Sequence, residues 1–333
     1  MKHSTDTLLL AIAFVVWIVA GLWAQNAAAS DAAVTYRLKW LKNMSTVGDL
    51  FALRQGYFRE RGLDVTIKPG GPERDAIREL ELGYAQFGVA SADQVIRALA
   101  KGAPVIVVAQ LFQVNPLQWI YRRDRISVET LTDLKGKTLG VTFGKNDEII
   151  MRTLLARAQI SDAQVRLYSV RLDYTPFFKG VVDLWPVYIN TQGVEIGGRL
   201  ASSGEPVGYF NPDDHGVRFV ANSVVTSQDM AVRHPDIVRN FVQALLKGWR
   251  QALRIDNGSL AVEAVRQYDR DSALHVLQEQ LQATRSIVQP TPRSVIGAID
   301  HTAWQETENI MLQHRQIAKP VTVIKYLRAD MVR

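Results

Sequence analysis

Polar and apolar residues alternate along Val34–Trp40, with Tyr36, Leu38 and Trp40 on one face, and this period of two predicts a strand. The period then changes. Val47, Leu50, Phe51 and Tyr57 or Phe58 recur at helical spacing over 47–58, and Gly62 ends that segment before a second strand, Leu63–Ile67. Gly70, Gly71 and Pro72 form a loop. A short helix follows over Asp75–Leu82, then a buried strand over Phe87–Ala90. Ser91 is placed to cap a helix running to Ala100, and the turn Gly102–Pro104 leads into the apolar strand Val105–Leu111. Leu117–Tyr121 reads as a strand leading out of this unit.

The second stretch repeats the alternation. Leu131–Leu134 with Gly136 predicts a short helix and turn, Thr138–Phe143 a strand, and Asn146 or Asp147 the start of a helix to Ala158. Val165–Ser169, Val182–Trp185 and Val207–Phe210 are further strand candidates, and Val217–Thr226 reads as a strand returning to the first unit. A helix then begins near Pro235, where proline is tolerated, with the core-facing stripe Val238, Phe241, Val242, Leu245 and Trp249. The rest is mostly helical, with breaks near Asn257 and Pro290–Pro292.

Strands alternating with helices predict an α/β fold with mostly parallel sheets covered by helices. The crossings near 120 and 218 divide the chain into a lobe built from 30–121 and 218–333 and an inserted lobe, 122–217. Two lobes joined by two crossing strands place a ligand between them, beyond the carboxyl ends of strands. Ahead of both, Lys2 and His3 precede an apolar run from Leu8 to Ala24, and Ala27–Ala29 precede Ser30. This is the pattern of a secretory signal over 1–29, cleaved after Ala29; retention as an anchor is the alternative. Both put the remainder outside the cytoplasm, and cleavage makes it periplasmic with no further membrane span.

Composition narrows the function. Of 333 residues, 47% are hydrophobic and 22% charged, which supports a packed core rather than disorder. The net charge of +6 is scattered and forms no basic run, so nucleic-acid binding is not expected. The chain has no cysteine, which excludes a lipoprotein anchor and thiolate zinc sites. The six histidines share no i,i+4 pair or loop, so no metal is expected. No nucleophile elbow, phosphate loop or dinucleotide fingerprint occurs, so neither a cofactor nor a catalytic residue is assigned. Asp213–Asp214–His215 reads as turn chemistry.

An ordered series of short segments resembles a known family. Trp40-Leu-Lys-Asn43 is followed by Gly48, Gly56-Tyr-Phe58, Gly62-Leu-Asp-Val65, Phe87-Gly-Val-Ala-Ser91-Ala-Asp93-Gln94 and Gly102-Ala-Pro104. Phe112-Gln113-Val-Asn115-Pro116, Leu131-Thr-Asp-Leu134-Lys-Gly136, Val182-Asp-Leu-Trp185-Pro-Val-Tyr188 and Leu246-Lys-Gly-Trp249 continue it in order. The series resembles the periplasmic binding proteins for thiamine-pyrimidine precursors, which are related to the sulfonate, taurine and nitrate binders. The resemblance implies the two-lobed type II binding fold, an ABC permease with its ATPase as partner, and a monomer that captures a small planar heterocycle. Aminopyrimidine-binding relatives tend to read Tyr-x-x-Asn-Glu-Pro where this chain has Tyr188-Ile-Asn190-Thr191-Gln192-Gly193, so Gln192 stands in place of a glutamate. A neutral amide cannot balance a ligand's positive charge.

Under this resemblance the candidate ligand residues are Trp40, Asn43, Ser91, Gln113, Trp185, Tyr188, Asn190, Thr191 and Gln192. Trp40, Trp185 and Tyr188 offer aromatic faces to a flat ligand, and the amides and hydroxyls offer hydrogen bonds to its edge. Each also has a plain structural role available: core packing for the tryptophans, capping for Asn43 and Ser91, and turn chemistry for Gln113 before Pro116. Lys145, Asn146 and Asp147, opening a helix after a strand, form a potential anion site or a simple cap. The alternatives to heterocycle capture are a sulfonate- or nitrate-type anion binder, and an extracytoplasmic enzyme or anchored sensor on the same fold.

Overall fold

The structure is a computed structural model describing residues 31–71 and 73–332. The predicted signal over 1–29 and Pro72 lie outside the described residues. Ten strands form: β1 Ala32–Arg37, β2 Leu63–Lys68, β3 Phe87–Ala90, β4 Val105–Gln110, β5 Leu117–Arg122, β6 Thr138–Val141, β7 Arg166–Ser169, β8 Trp185–Tyr188, β9 Val207–Phe210 and β10 Ser223–Ser227. The helices are α1 Val47–Arg54, α2 Ala76–Glu81, α3 Ala92–Ala100, α4 Asn146–Arg157, α5 Thr175–Phe178, α6 Gln192–Ser202, α7 Gln228–Arg233, α8 Pro235–Ala252, α9 Gly258–Arg266, α10 Leu274–Val288 and α11 His301–Gln313. No helix among the described residues is long and apolar enough to cross a membrane.

The first sheet has the order β2-β1-β3-β10-β4. β1 is parallel to β2 and β3, whereas β10 is antiparallel to both β3 and β4. In the second sheet β5 pairs antiparallel with β8 and β9, and β6 pairs parallel with β7. A parallel bridge between Leu139 and Leu184, with Gly140 N–H donating to Leu184 O at 2.8 Å, joins the pieces in the order β7-β6-β8-β5-β9. Both sheets are therefore mixed: four strands of each run one way, in line with the mostly parallel sheets that the alternation predicted, and one runs against them. The exceptions are β5 and β10, the strands that carry the chain between sheets and enter each one reversed.

The crossings lie side by side. Leu111 and Phe112 N–H groups donate to Asn222 O, and Asn115 Nδ2 donates to Phe219 O at 3.0 Å while its Oδ1 accepts from Leu117 N. Asn115 thus satisfies backbone groups that a crossing segment leaves without ladder partners.

Helix α8 anchors the first sheet. Its stripe buries Val238, Phe241, Val242, Leu245 and Trp249, and Phe241 stacks on Phe87 with ring centroids 3.8 Å apart. Full burial of each large apolar side chain contributes roughly 1.5–3 kcal/mol. Gly248 lets α8 approach α1, because a Cβ there would lie 2.4 Å from Ala52 Cβ and 2.5 Å from Gly48 O. A second core runs from the first sheet into the second, taking in Val105 and Val107, Trp119, Leu139, Met151 and Trp304 of α11. A third, smaller core belongs to the second sheet alone and holds Ile120, Phe177, Trp185, Val187 and Ile196.

Three local expectations shift. The segment 47–58 is helical only to Arg54, because Gly56 takes φ +73° and breaks the run. The strand expected over 182–185 begins at Trp185, since Val182–Leu184 cross over β6 first. The strand expected over 217–226 is confined to 223–227, because 217–222 form the irregular return crossing. Helix α6 was not foreseen; Gly193, Gly197 and Gly198 weaken its helical signal.

Candidate ligand-binding cleft

A cleft of about 1140 Å³, counted to its open mouth, lies where loops of the two sheets face each other. From the first sheet its walls take Lys39, Trp40 and Asn43 after β1, Asp49 on α1, Arg74 and Asp75 before α2, and Ala90 and Gln94 around the start of α3. From the second they take Thr142, Lys145 and Asn146 after β6, Arg171 and Tyr174, Trp185–Tyr188 on β8, and Thr191 and Gln192 at the start of α6. Most lie beyond carboxyl ends of parallel strands, where helices begin and backbone N–H groups point outward.

Six of the nine candidate residues line this cleft: Trp40, Asn43, Trp185, Tyr188, Thr191 and Gln192. Trp40 is half-buried and offers an accessible ring. Trp185 reaches the wall but is only 1% exposed, edge-packed on Tyr174 at 5.8 Å and tilted against Phe177. Asn43 Oδ1 accepts from Ser45 N at 3.0 Å, capping the short turn 44–46, so its Nδ2 is the group left for other contacts. Gln192 Oε1 accepts from Tyr188 N at 3.3 Å and from Thr191 Oγ1 at 2.6 Å, and its amide lies beside the Tyr174 hydroxyl.

The other three lie elsewhere. Ser91 is 1% exposed, and its N–H and Oγ–H both donate to Gln94 Oε1, so Gln94 rather than Ser91 forms that wall. Gln113 Nε2 donates to the carbonyls of Gln110 and Ala298, fastening the crossing to the loop before α11. Asn190 is fully buried and its Nδ2 donates to Ser45 Oγ and Thr284 Oγ1, tying the end of β8 to α10.

Lys39, Asn222 and Arg171, which the sequence pattern did not single out, join Tyr188 and Lys145 in completing the cleft. Lys39 Nζ donates across it to the Tyr188 hydroxyl at 2.7 Å, and that hydroxyl donates in turn to Asn222 Oδ1 at 3.3 Å. Nearer the mouth, Arg171 pairs with Glu73 at 3.2 Å, Arg97 donates to Gly144 O, and Lys145 reaches Arg74 O. Lys39 sits next to Leu38 and Trp40 in an alternating strand, where a cation reads as an ordinary solvent-facing residue; no sequence signal marks it.

Burial shapes the acids. Asp49 is 1% exposed and its carboxyl is pushed up to about 7 by loss of water, against the opposing effect of the Tyr36 hydroxyl that donates to it at 2.9 Å. Asp147 is pushed up to about 6 by burial, although Thr142 N donates to its Oδ2 at 2.6 Å. Beside it, Glu148 accepts from Gly144 N. Two loop amides after β6, those of Thr142 and Gly144, are therefore held by the chain's own carboxylates.

Comparison with known proteins agrees with this architecture. The sequence profile of the family described as NMT1/THI5 like matches residues 43–255. A riboflavin-binding protein, RibY, of Chloroflexus aurantiacus is 26% identical over 321 residues, spanning 90% of this chain and 86% of its own. A formylaminopyrimidine-binding protein of Halalkalibacterium halodurans is 26% identical over 305 residues, spanning 89% and 90%. A Saccharomyces cerevisiae 4-amino-5-hydroxymethyl-2-methylpyrimidine phosphate synthase, THI5, is 30% identical over 115 residues, 34% of each chain. Among solved structures, the alkanesulfonate-binding protein SsuA of Xanthomonas axonopodis pv. citri superposes with TM-score 0.68 at 18% identity, covering 90% of this chain and 99% of that one. The chain has the fold of the periplasmic binding proteins.

Proposed function

Given that the chain belongs to the NMT1/THI5-like family, we propose that it is the solute-capturing component of an ABC importer, binding a small planar heterocycle in the cleft between its two sheets. The observation that carries this reading is the cleft itself. It joins a half-buried aromatic face at Trp40 to amide groups at Asn43 and Gln192, and is bridged by the Lys39–Tyr188–Asn222 chain. An apolar face with a few directed polar groups is what a flat heterocycle needs. The names of two relatives that match nearly the whole chain, binders of riboflavin and of a formylaminopyrimidine, support the same ligand class.

In this reading 30–121 and 218–333 build one lobe, 122–217 the other, and the protein works as an exported monomer that docks on its permease when closed over ligand. Closure follows from differential affinity for the closed form. The sulfonate or nitrate alternative is weaker, since Asp147 and Glu148 occupy two loop amides after β6. Turnover is also disfavoured: the synthase likeness covers a third to a half of the chain, whereas the two named binding proteins match about nine-tenths of it.

Native mass spectrometry of the purified protein, joined to thermal denaturation with flavins, aminopyrimidines, sulfonates and nitrate, tests the proposal. A heterocycle recovered intact, or a melting temperature raised by heterocycles alone, is the expected result. Stabilisation by sulfonates or nitrate alone would transfer the assignment to anion capture, and chemical conversion of the bound molecule would make the protein an enzyme.

A further inference from the structure

Three carboxylates line the cleft: Asp49, Asp75 and Asp147. Two are held by backbone amides. Asp75 Oδ1 accepts from Arg78 N at 3.0 Å as the cap of α2, and Asp147 Oδ2 accepts from Thr142 N. Asp49 differs. It sits in the first turn of α1 among Leu50, Phe51 and Trp249, and the Tyr36 hydroxyl is bonded to its Oδ1. Among the described residues Tyr36 is the one side chain in hydrogen-bond contact with this carboxyl, which lines the cleft. The indole of Trp249 favours the anion from nearby, but its Nε1–H stays outside hydrogen-bond geometry and has no partner of its own.

A buried carboxylate normally gathers several donors, and one held by a single side chain has acceptor capacity left over. A molecule bound in the cleft can supply the further donor. We propose that Asp49 is a ligand-recognition residue, its Oδ2 accepting an N–H from the amino or imide edge of the heterocycle at the floor of the cleft. This rests on the capture reading above and adds to it the chemistry of the ligand's edge. Ser45 and Thr46 lie on the same wall, and Trp40 offers the face against which a ring presenting such an edge would stack. With its carboxyl near neutrality, Asp49 in its acid form also matches an amidine edge, donating to a ring nitrogen while accepting from the adjacent amino group. A sulfonate or nitrate has no N–H to offer and gains nothing from the carboxylate form of Asp49.

Titration calorimetry on the full chain tests this with riboflavin and formylaminopyrimidine as probes, each beside an analogue whose ring or amino N–H is replaced by N–CH3. Wild type is expected to bind at least one probe and to lose about tenfold or more with its methylated analogue, the scale of one hydrogen bond to a charged group. Asp49→Asn and Asp49→Leu are expected to weaken the N–H probe by a similar factor and to narrow its lead over the analogue. Probe binding by wild type with equal affinity for the methylated analogue overturns the role of Asp49 while leaving capture standing, and that comparison needs no variant to fold. Unchanged affinity in both variants does the same. Failure of wild type to bind any probe overturns the heterocycle reading, and the assignment of Asp49 with it.

Discussion

The two sheets follow one connectivity and are built to different depths. Each runs second–first–third, then a reversed crossing strand, then fourth. In the first sheet the ladder is continuous, and β1 and β2 pair over six residues. In the second, β6 and β8 meet through a single bridge, and the core private to that sheet has eight buried residues against the deep α1–α8 core of the first. The second sheet instead leans on the core it shares with the first, through Trp119, Met151 and Trp304. A cleft wall carried on the thinner sheet can adjust to a ligand at lower cost than one carried on the thicker sheet, because fewer packed contacts oppose it. The rigid wall is then the one bearing Trp40 and Asp49.

The sharpest way to break this contrast is Trp185→Ala, which empties the small core and is expected to cost about 3–5 kcal/mol. Hydrogen exchange should lose protection in β5, β8 and α6 before β1–β3; equal loss in both sheets would show one cooperative unit. Next comes the acid of the rigid wall. Folding raises the Asp49 carboxyl from 3.8 to about 7, so the folded state keeps a proton that the unfolded chain releases. Its contribution is fully present below pH 3.8 and is lost as pH rises through about 7. Asp49→Asn should therefore flatten the decline in unfolding free energy across that window by on the order of a few kcal/mol, leaving the smaller slopes of Asp147 and Asp213, both raised to about 6. Denaturant titrations at several pH values measure it.

Gly248→Ala drives a Cβ into Ala52 and should cost about 1–3 kcal/mol, with exchange accelerated in α1 and α8 rather than in the second sheet. The smallest effect belongs to the contact that spans the cleft. A double-mutant cycle of Lys39→Met and Tyr188→Phe should give a coupling of about 0.5–1.5 kcal/mol, and none if the bond contributes nothing in solution.

Legibility in the sequence followed the same division. β3, α3 and the start of α8 were readable to within a residue, because each combines a strong period with a nearby boundary signal: Phe87–Ala90 before Ser91, and Pro235 before a five-residue apolar stripe. β8 was misplaced by three residues, because Val182–Tyr188 is apolar but for Asp183 and only the bridge at Leu184 decides where pairing begins. The aromatic and amide residues of the cleft were visible as Trp40, Asn43, Tyr188 and Gln192. Ser91, Gln113 and Asn190 were equally plausible by type, yet the fold turns them onto Gln94, two backbone carbonyls and α10.

The sequence alone determined the alternation of strands and helices, the α/β class and the family, since each rests on local period or on ordered short segments. Tertiary structure decided which polar groups reach the cleft unpaired. That depends on what each side chain meets across 50 to 150 positions of chain. Lys39 meets Tyr188 at a separation of 149 residues, whereas Asn190, equally polar, is turned onto Thr284 at a separation of 94. Hydrogen-bond satisfaction is a property of the packed whole, and no local pattern encodes it.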